Sequence, residues 1–185
     1  MRQYYFTAAS LPLLSIDVKP GISIESFLST CELHLTENDF NILVNSSIQI
    51  PEHEDALSGV AEICWAWEKS LRNELAKLRA GNMNLSADQY LREGEIIFGT
   101  HRIATEAIKI ESPLEAENYL NAARLAFLDS ICVGHFFDLT FLVIYYLKLQ
   151  ILERMANFDR DKGFEKYQEI YKNIITAYEA GGSEI

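Results

Sequence analysis

The residues of this chain best suited to metal or nucleophilic chemistry are four histidines and three cysteines, and their spacing supplies neither. His53-Glu54 opens like the HExxH zinc motif, but the place for the second histidine holds Leu57. A zinc hydrolase needs that second imidazole one helical turn on, on the same face. Glu-x-x-His does not occur, so a ferritin-like di-iron site lacks its ligands. The run Asn157 to Gly163 resembles half a calcium loop. Started at Asn157, the loop puts Lys162 where the turn glycine belongs and Gln168 where the bidentate glutamate belongs. Started at Asp159, it puts Phe164 and Ile170 there, so Asp159 and Asp161 are expected to make a turn and a helix cap instead. There is no GxSxG elbow and no glycine-rich phosphate cradle. No catalytic, cofactor-binding or metal-binding residue is therefore assigned.

Asp129, His135 and Asp138 fall together around a short helix connection. They read as a hydrogen-bonded junction, with a proton-handling or ligand pocket as the alternative. Tyr145, Tyr146, Tyr167, Tyr171 and Tyr178 could line a groove, and packing between the last two helices is the expected role.

The elements that position these residues are helical. Phe136 to Asn157 is the central stretch, because its middle, Phe141 to Leu147, has no polar face and belongs inside a bundle. That run is far short of the roughly 20 residues of a membrane span. Before it, Ser112-Pro113-Leu114-Glu115 is a capping box with proline at the first helical position, opening a helix to about Val133. Residues 55 to 80 show helical spacing through Leu57, Val60, Cys64, Trp67, Leu71, Leu75 and Leu78, with Gly81 as the expected terminator. Glu68 and Arg72 form an i,i+4 pair on this helix. Trp65 lies off its apolar stripe: the core is the expected place, and contact with a partner is the other reading.

Nearer the start, Ser23 and Thr36 cap two short helices, with Phe27, Leu28, Cys31, Phe40, Leu43 and Val44 inward. Residues 1 to 20 read as a short strand or extended segment, broken at Leu11-Pro12. Residues 45 to 55 form a polar linker whose Glu52-His53-Glu54-Asp55 run is solvated. Residues 82 to 111 read as helical with a break, Ser86 capping a helix through Tyr90 and Leu91. A last helix, about 164 to 180, carries Phe164, Tyr167, Tyr171, Ile174, Ile175 and Tyr178 on one face. The expectation is an all-α, irregular bundle with a long buried central helix and a short extended N-terminal segment. It forms one domain over 1–185, with a subregion 1–50 packed on a helical core of 55–180.

At 185 residues, 49% hydrophobic and 11% aromatic, the chain can bury a substantial core. A net charge of −11 disfavours nucleic acid, whose phosphates need a basic footprint. It leaves open a basic protein partner or plain solubility. Cys31, Cys64 and Cys132 are odd in number, widely spaced and set in apolar patterns, which suits core thiols and a reducing compartment. The opening MRQYYFTAAS is too short in its apolar part for a secretory signal, so the expected location is cytoplasmic.

Two segments carry a resemblance. The opening YYFTAASLPLLS with GISIESFLSTCELHLTENDFNIL, and the later FFDLTFLVIYYLKLQILERMANFDRDKGFEKYQEI, resemble a small family of uncharacterised bacterial proteins associated with V/A-type ATPase operons. More loosely, they resemble the V/A-type ATPase C subunit, the eukaryotic d subunit. The resemblance implies an all-α, non-enzymatic accessory or stalk component acting by protein–protein interaction, without a cofactor. Through such a complex the protein would sit at the inner face of the membrane without spanning it. Trp65 is the candidate partner-binding residue. The competing readings are a small helical enzyme or ligand binder with a pocket near Asp129, His135 and Asp138, and an unrelated acidic cytosolic adaptor.

Overall fold

The computed structural model describes residues 2–50, 59–157 and 160–181. The Glu52 to Asp55 run, the His53-Glu54 motif start and the Asp159 turn lie outside the described residues. The fold is all-α. Among the described residues there are eight α-helices and no strand: α1 (Tyr5–Ser10), α2 (Ile24–His34), α3 (Glu37–Asn45), α4 (Val60–Asn82), α5 (Thr100–Lys109), α6 (Pro113–Cys132), α7 (Leu139–Ala156) and α8 (Arg160–Gly181). Among them no helix is long and apolar enough to cross a membrane. The chain divides into two compact units, Met1–Glu153 and Arg154–Ile185.

In the first unit the helix starts follow local chemistry. Ser23 Oγ accepts from Ser26 N at 3.2 Å, Thr36 Oγ1 from Asp39 N at 3.3 Å, and Ser112 Oγ from Glu115 N at 3.4 Å. Each satisfies an amide that the first helical turn leaves without a backbone partner. Phe27, Cys31 and Leu43 are fully buried, whereas Val44, expected inward, is exposed. The extended N-terminal stretch is confined to residues 11–22, and the residues before it coil into α1. Pro12 lacks an N–H and disfavours helical backbone at the residue before it, which ends α1 at Ser10.

α4 carries the first half of the core. Trp67, Leu71 and Leu75 pack with Ala104 and Ala107 of α5 and Leu120 of α6, and the Trp67 and Phe127 rings stack at 4.6 Å. Gly81 does not end α4. The helix runs through it to Asn82, and the left-handed residue is Asn84, φ 55°. Leu85 N then donates to Ala80 O at 2.9 Å, so the terminal carbonyl is satisfied without glycine. Between α4 and α5 the chain is irregular apart from a single 3-10 turn at Asp88–Tyr90, where Ser86 Oγ accepts from Asp88 N. Two polar side chains of α4 hold this stretch. Asn73 clamps Arg92 through both its N–H and its carbonyl. Ser70 Oγ accepts from Ile97 N at 2.9 Å, which sets the entry to α5.

α7 is the centre of the unit. Leu142 to Leu147, Leu149, Ile151 and Leu152 are all buried. The Tyr145 and Tyr146 rings both stack on Phe27 of α2, at 5.3 and 5.7 Å. The described part of the linker after α3 is pinned. Gln150 of α7 bonds Ser46 O and Ile48 N, and Trp65 Nε1 donates to Ser47 O at 2.7 Å. In the second unit, α8 stacks Tyr167 on Tyr171 at 6.2 Å and pairs Lys166 with Glu169. The side chain of Tyr178 lies outside the described residues.

Two acids of α4 are buried. Glu74 takes Lys77 Nζ and His101 Nδ1, each at 2.7 Å. The hydrogen bonds from Lys77 and then His101 outweigh desolvation and hold its carboxyl below the usual 4.5. A carboxylate whose pKa is lower folded than unfolded adds stability that is complete above the unfolded value and lost as pH falls through the folded one. Glu74→Gln should therefore destabilise the protein at neutral pH, with the difference from wild type shrinking on acidification below about 4.5. Urea melts of both proteins across that range check it, and a pH-independent difference would contradict the linkage.

Candidate functional site

The structure splits the Asp129, His135 and Asp138 group. Asp138 caps α7: its Oδ1 accepts from Phe141 N at 2.9 Å, and its Oδ2 lies 2.6 Å from His135 Nδ1. The pair thus fixes the tight α6–α7 turn, which also needs the left-handed Gly134 at φ 90°. Asp129, on the last part of α6, turns away to pair with Lys148 of α7. His135 and Asp138 thus form a helix cap and Asp129 a separate ion pair, and of the three Asp129 lines the cavities described below.

What the structure does bring together is the N-terminal segment and the α6–α7 hairpin. Tyr4 N donates to Phe137 O, and Tyr145 OH donates to Pro12 O at 2.9 Å. Burial pushes the Tyr145 hydroxyl up to about 12, so it stays a donor. At one end of this junction the Tyr5 ring meets Phe137 at 4.6 Å and Phe136 meets Phe137 at 6.5 Å. Phe6, 86% exposed, and Phe136, 67% exposed, stand out to solvent there, with Val133 at the end of α6 exposed as well. Aromatic side chains displayed this way on a folded surface mark contact sites, because burying them is strongly favourable.

Along the same junction, residues 11–16 cross the α6 and α7 surfaces as a strap and leave two cavities beneath it. One, about 280 Å³, is lined by Leu11, Pro12, Phe141, Ile144 and Tyr145 among others. The second, about 310 Å³, is lined by Ile16, Ala122, Leu125 and Leu152 among others. Leu14, Asp129 and Lys148 line both.

Trp65, the candidate partner anchor, is 5% exposed and donates to Ser47 O, which is the core position favoured from the sequence. It lines a small void of about 30 Å³ with Trp67, Glu68, Arg124 and Leu147. Burial pushes the Cys31 and Cys64 thiols up to about 12 and raises Cys132, so all three are held as thiols. Among the described residues no group of three His, Cys, Asp or Glu side chains is placed to hold a metal ion.

Sequence reasoning missed the aromatic end and the strap cavities. The Tyr4-Tyr5-Phe6 and Phe136-Phe137 clusters were visible signals, but their meeting depends on a contact across more than a hundred residues. Fold and junction together define an all-α helical bundle protein. Comparison with known protein families, with curated proteins and with solved structures finds no match in any of the three.

Proposed function

We propose that this protein is a non-enzymatic accessory component that docks on another protein through the aromatic end formed by α1 and the α6–α7 turn. One observation carries the reading: the segments Tyr4 to Ser15 and Phe136 onward, which bear the resemblance to the V/A-type ATPase-associated family, are the two that meet there. The partner is the soluble or stalk part of a bacterial V/A-type ATPase, as that resemblance implies. Phe6, Phe136 and Tyr5 supply the anchors, since a few buried aromatics dominate interface energies. The −11 charge suits a partner with a basic rim. Added salt then slows association more than it speeds dissociation.

The test is purification of tagged ATPase subunits under mild, low-salt extraction. The wild-type chain is expected in the complex. The Phe6→Ser/Phe136→Ser double variant is expected to be lost from it with an unchanged thermal melt, because neither ring is buried in the isolated chain. Absence of the wild-type chain from an intact complex rejects the ATPase partner. Undiminished association of the folded double variant rejects this surface.

A further inference from the structure

The strap cavities are not used by the docking surface, and their chemistry is specific. Lys148 is the cation shared by both cavities, and its side chain is 18% exposed. An ammonium carries three N–H donors, yet among the described residues Asp129 alone accepts from it. Asp129 is the more exposed member: its side chain is 68% exposed, so turning it into water leaves no buried carboxylate behind. The walls on either side of the pair are apolar: Leu11, Phe141 and Ile144 in one lobe, Leu125 and Leu152 in the other. A charged centre between two apolar lobes fits an amphipathic ligand, and the cavity volumes approach the lower end of small-molecule sites.

The sign and size of the head group follow. A cationic head would meet the Lys148 ammonium. A phosphate dianion would face one cation and one carboxylate, with no second basic side chain among the lining residues to balance it, and the first turn of α7 at Phe141 is already capped by Asp138. A carboxylate monoanion replaces Asp129 charge for charge. We propose that the groove under the strap binds an aliphatic monocarboxylic acid. Its carboxylate accepts from Lys148 Nζ in place of Asp129, and its chain lies in the lobe walled by Leu11, Phe141 and Ile144.

This inference does not depend on the ATPase reading. The experiment is calorimetric titration of the full chain with octanoate, decanoate and methyl decanoate, each below its micellar concentration. Decanoate should bind more tightly than octanoate, and the uncharged ester at least tenfold more weakly than decanoate. Lys148→Met should lose at least tenfold in decanoate affinity. Asp129→Asn should gain, because it removes the competing carboxylate, and structural damage would not produce a gain. Thermal melts establish that both variants are folded. If Lys148→Met does not fold, the sign of the Asp129→Asn change decides alone. No decanoate binding below millimolar concentration, ester binding equal to that of the acid, or weaker binding by Asp129→Asn each overturns the proposal.

Discussion

Arg124→Met should lower the unfolding free energy by about 3–5 kcal/mol, the range for removing one member of a buried ion pair. Arg124 reaches from α6 to α4. Its Nε and Nη2 donate to the two oxygens of Glu68, both at 3.0 Å, and its Nη1 donates to Glu117 at 3.1 Å and Asn121 at 2.9 Å. The side chains of Arg124 and Glu68 are 12% and 8% exposed. Burial alone would lower the guanidinium pKa; the Glu68 and Glu117 carboxylates outweigh it and hold it above its ordinary value. Methionine keeps much of the volume but leaves Glu68 with Arg72 alone, at 2.8 Å on a more exposed face. That remaining partner places the loss toward the lower end of the range. Denaturant melts measure it. Adding Glu68→Gln should recover part of the loss, because the double change removes the uncompensated charge. A single-variant loss under about 0.5 kcal/mol would mean the pair behaves as an exposed one.

The second large effect belongs to α7. Leu142→Ala and Leu147→Ala should each lose about 2–5 kcal/mol, the usual range for a fully buried leucine. Both side chains are almost completely out of water. Leu147 borders the void beside Trp65 and Trp67, so its truncation enlarges an existing space instead of opening a fresh one. The amides of α7 should correspondingly be the slowest to exchange in the first unit. Melts of both variants within about 0.5 kcal/mol of wild type would place the core elsewhere.

Much of this fold is legible one helix at a time. Ser23, Thr36 and Ser112 announce their helices because a cap is a local contact, three residues long. The Leu142 to Leu147 run announces burial because it has no polar side to present. Glu68 and Glu74 are not legible, since a glutamate beside an arginine or lysine one turn away reads as a solvated pair. Arg124 takes Glu68 out of that class from 56 positions further along the chain. The same limit hides the candidate site. Leu14 and Lys148 are unremarkable where they stand in sequence, and the meeting of strap and hairpin is a property of the folded chain. Gly81 misled for a different reason: it is tolerated inside α4, and Asn84 accepts the left-handed backbone that the helix end requires.

Among the described residues, most of the hydrogen bonds that tie the first fifty residues down run to the far end of the first unit: Tyr4 to Phe137, Pro12 to Tyr145, Ile24 to Glu153, Ser46 to Gln150. During synthesis those residues leave the ribosome well before the helix that receives them. Phe27, Cys31 and Leu43 therefore wait in water while α4, α5 and α6, which pack on near neighbours, assemble ahead of them. Residues 1–50 are the part of this nascent chain most open to chaperones and to proteolysis, and the part that a stalled or truncated translation product leaves exposed.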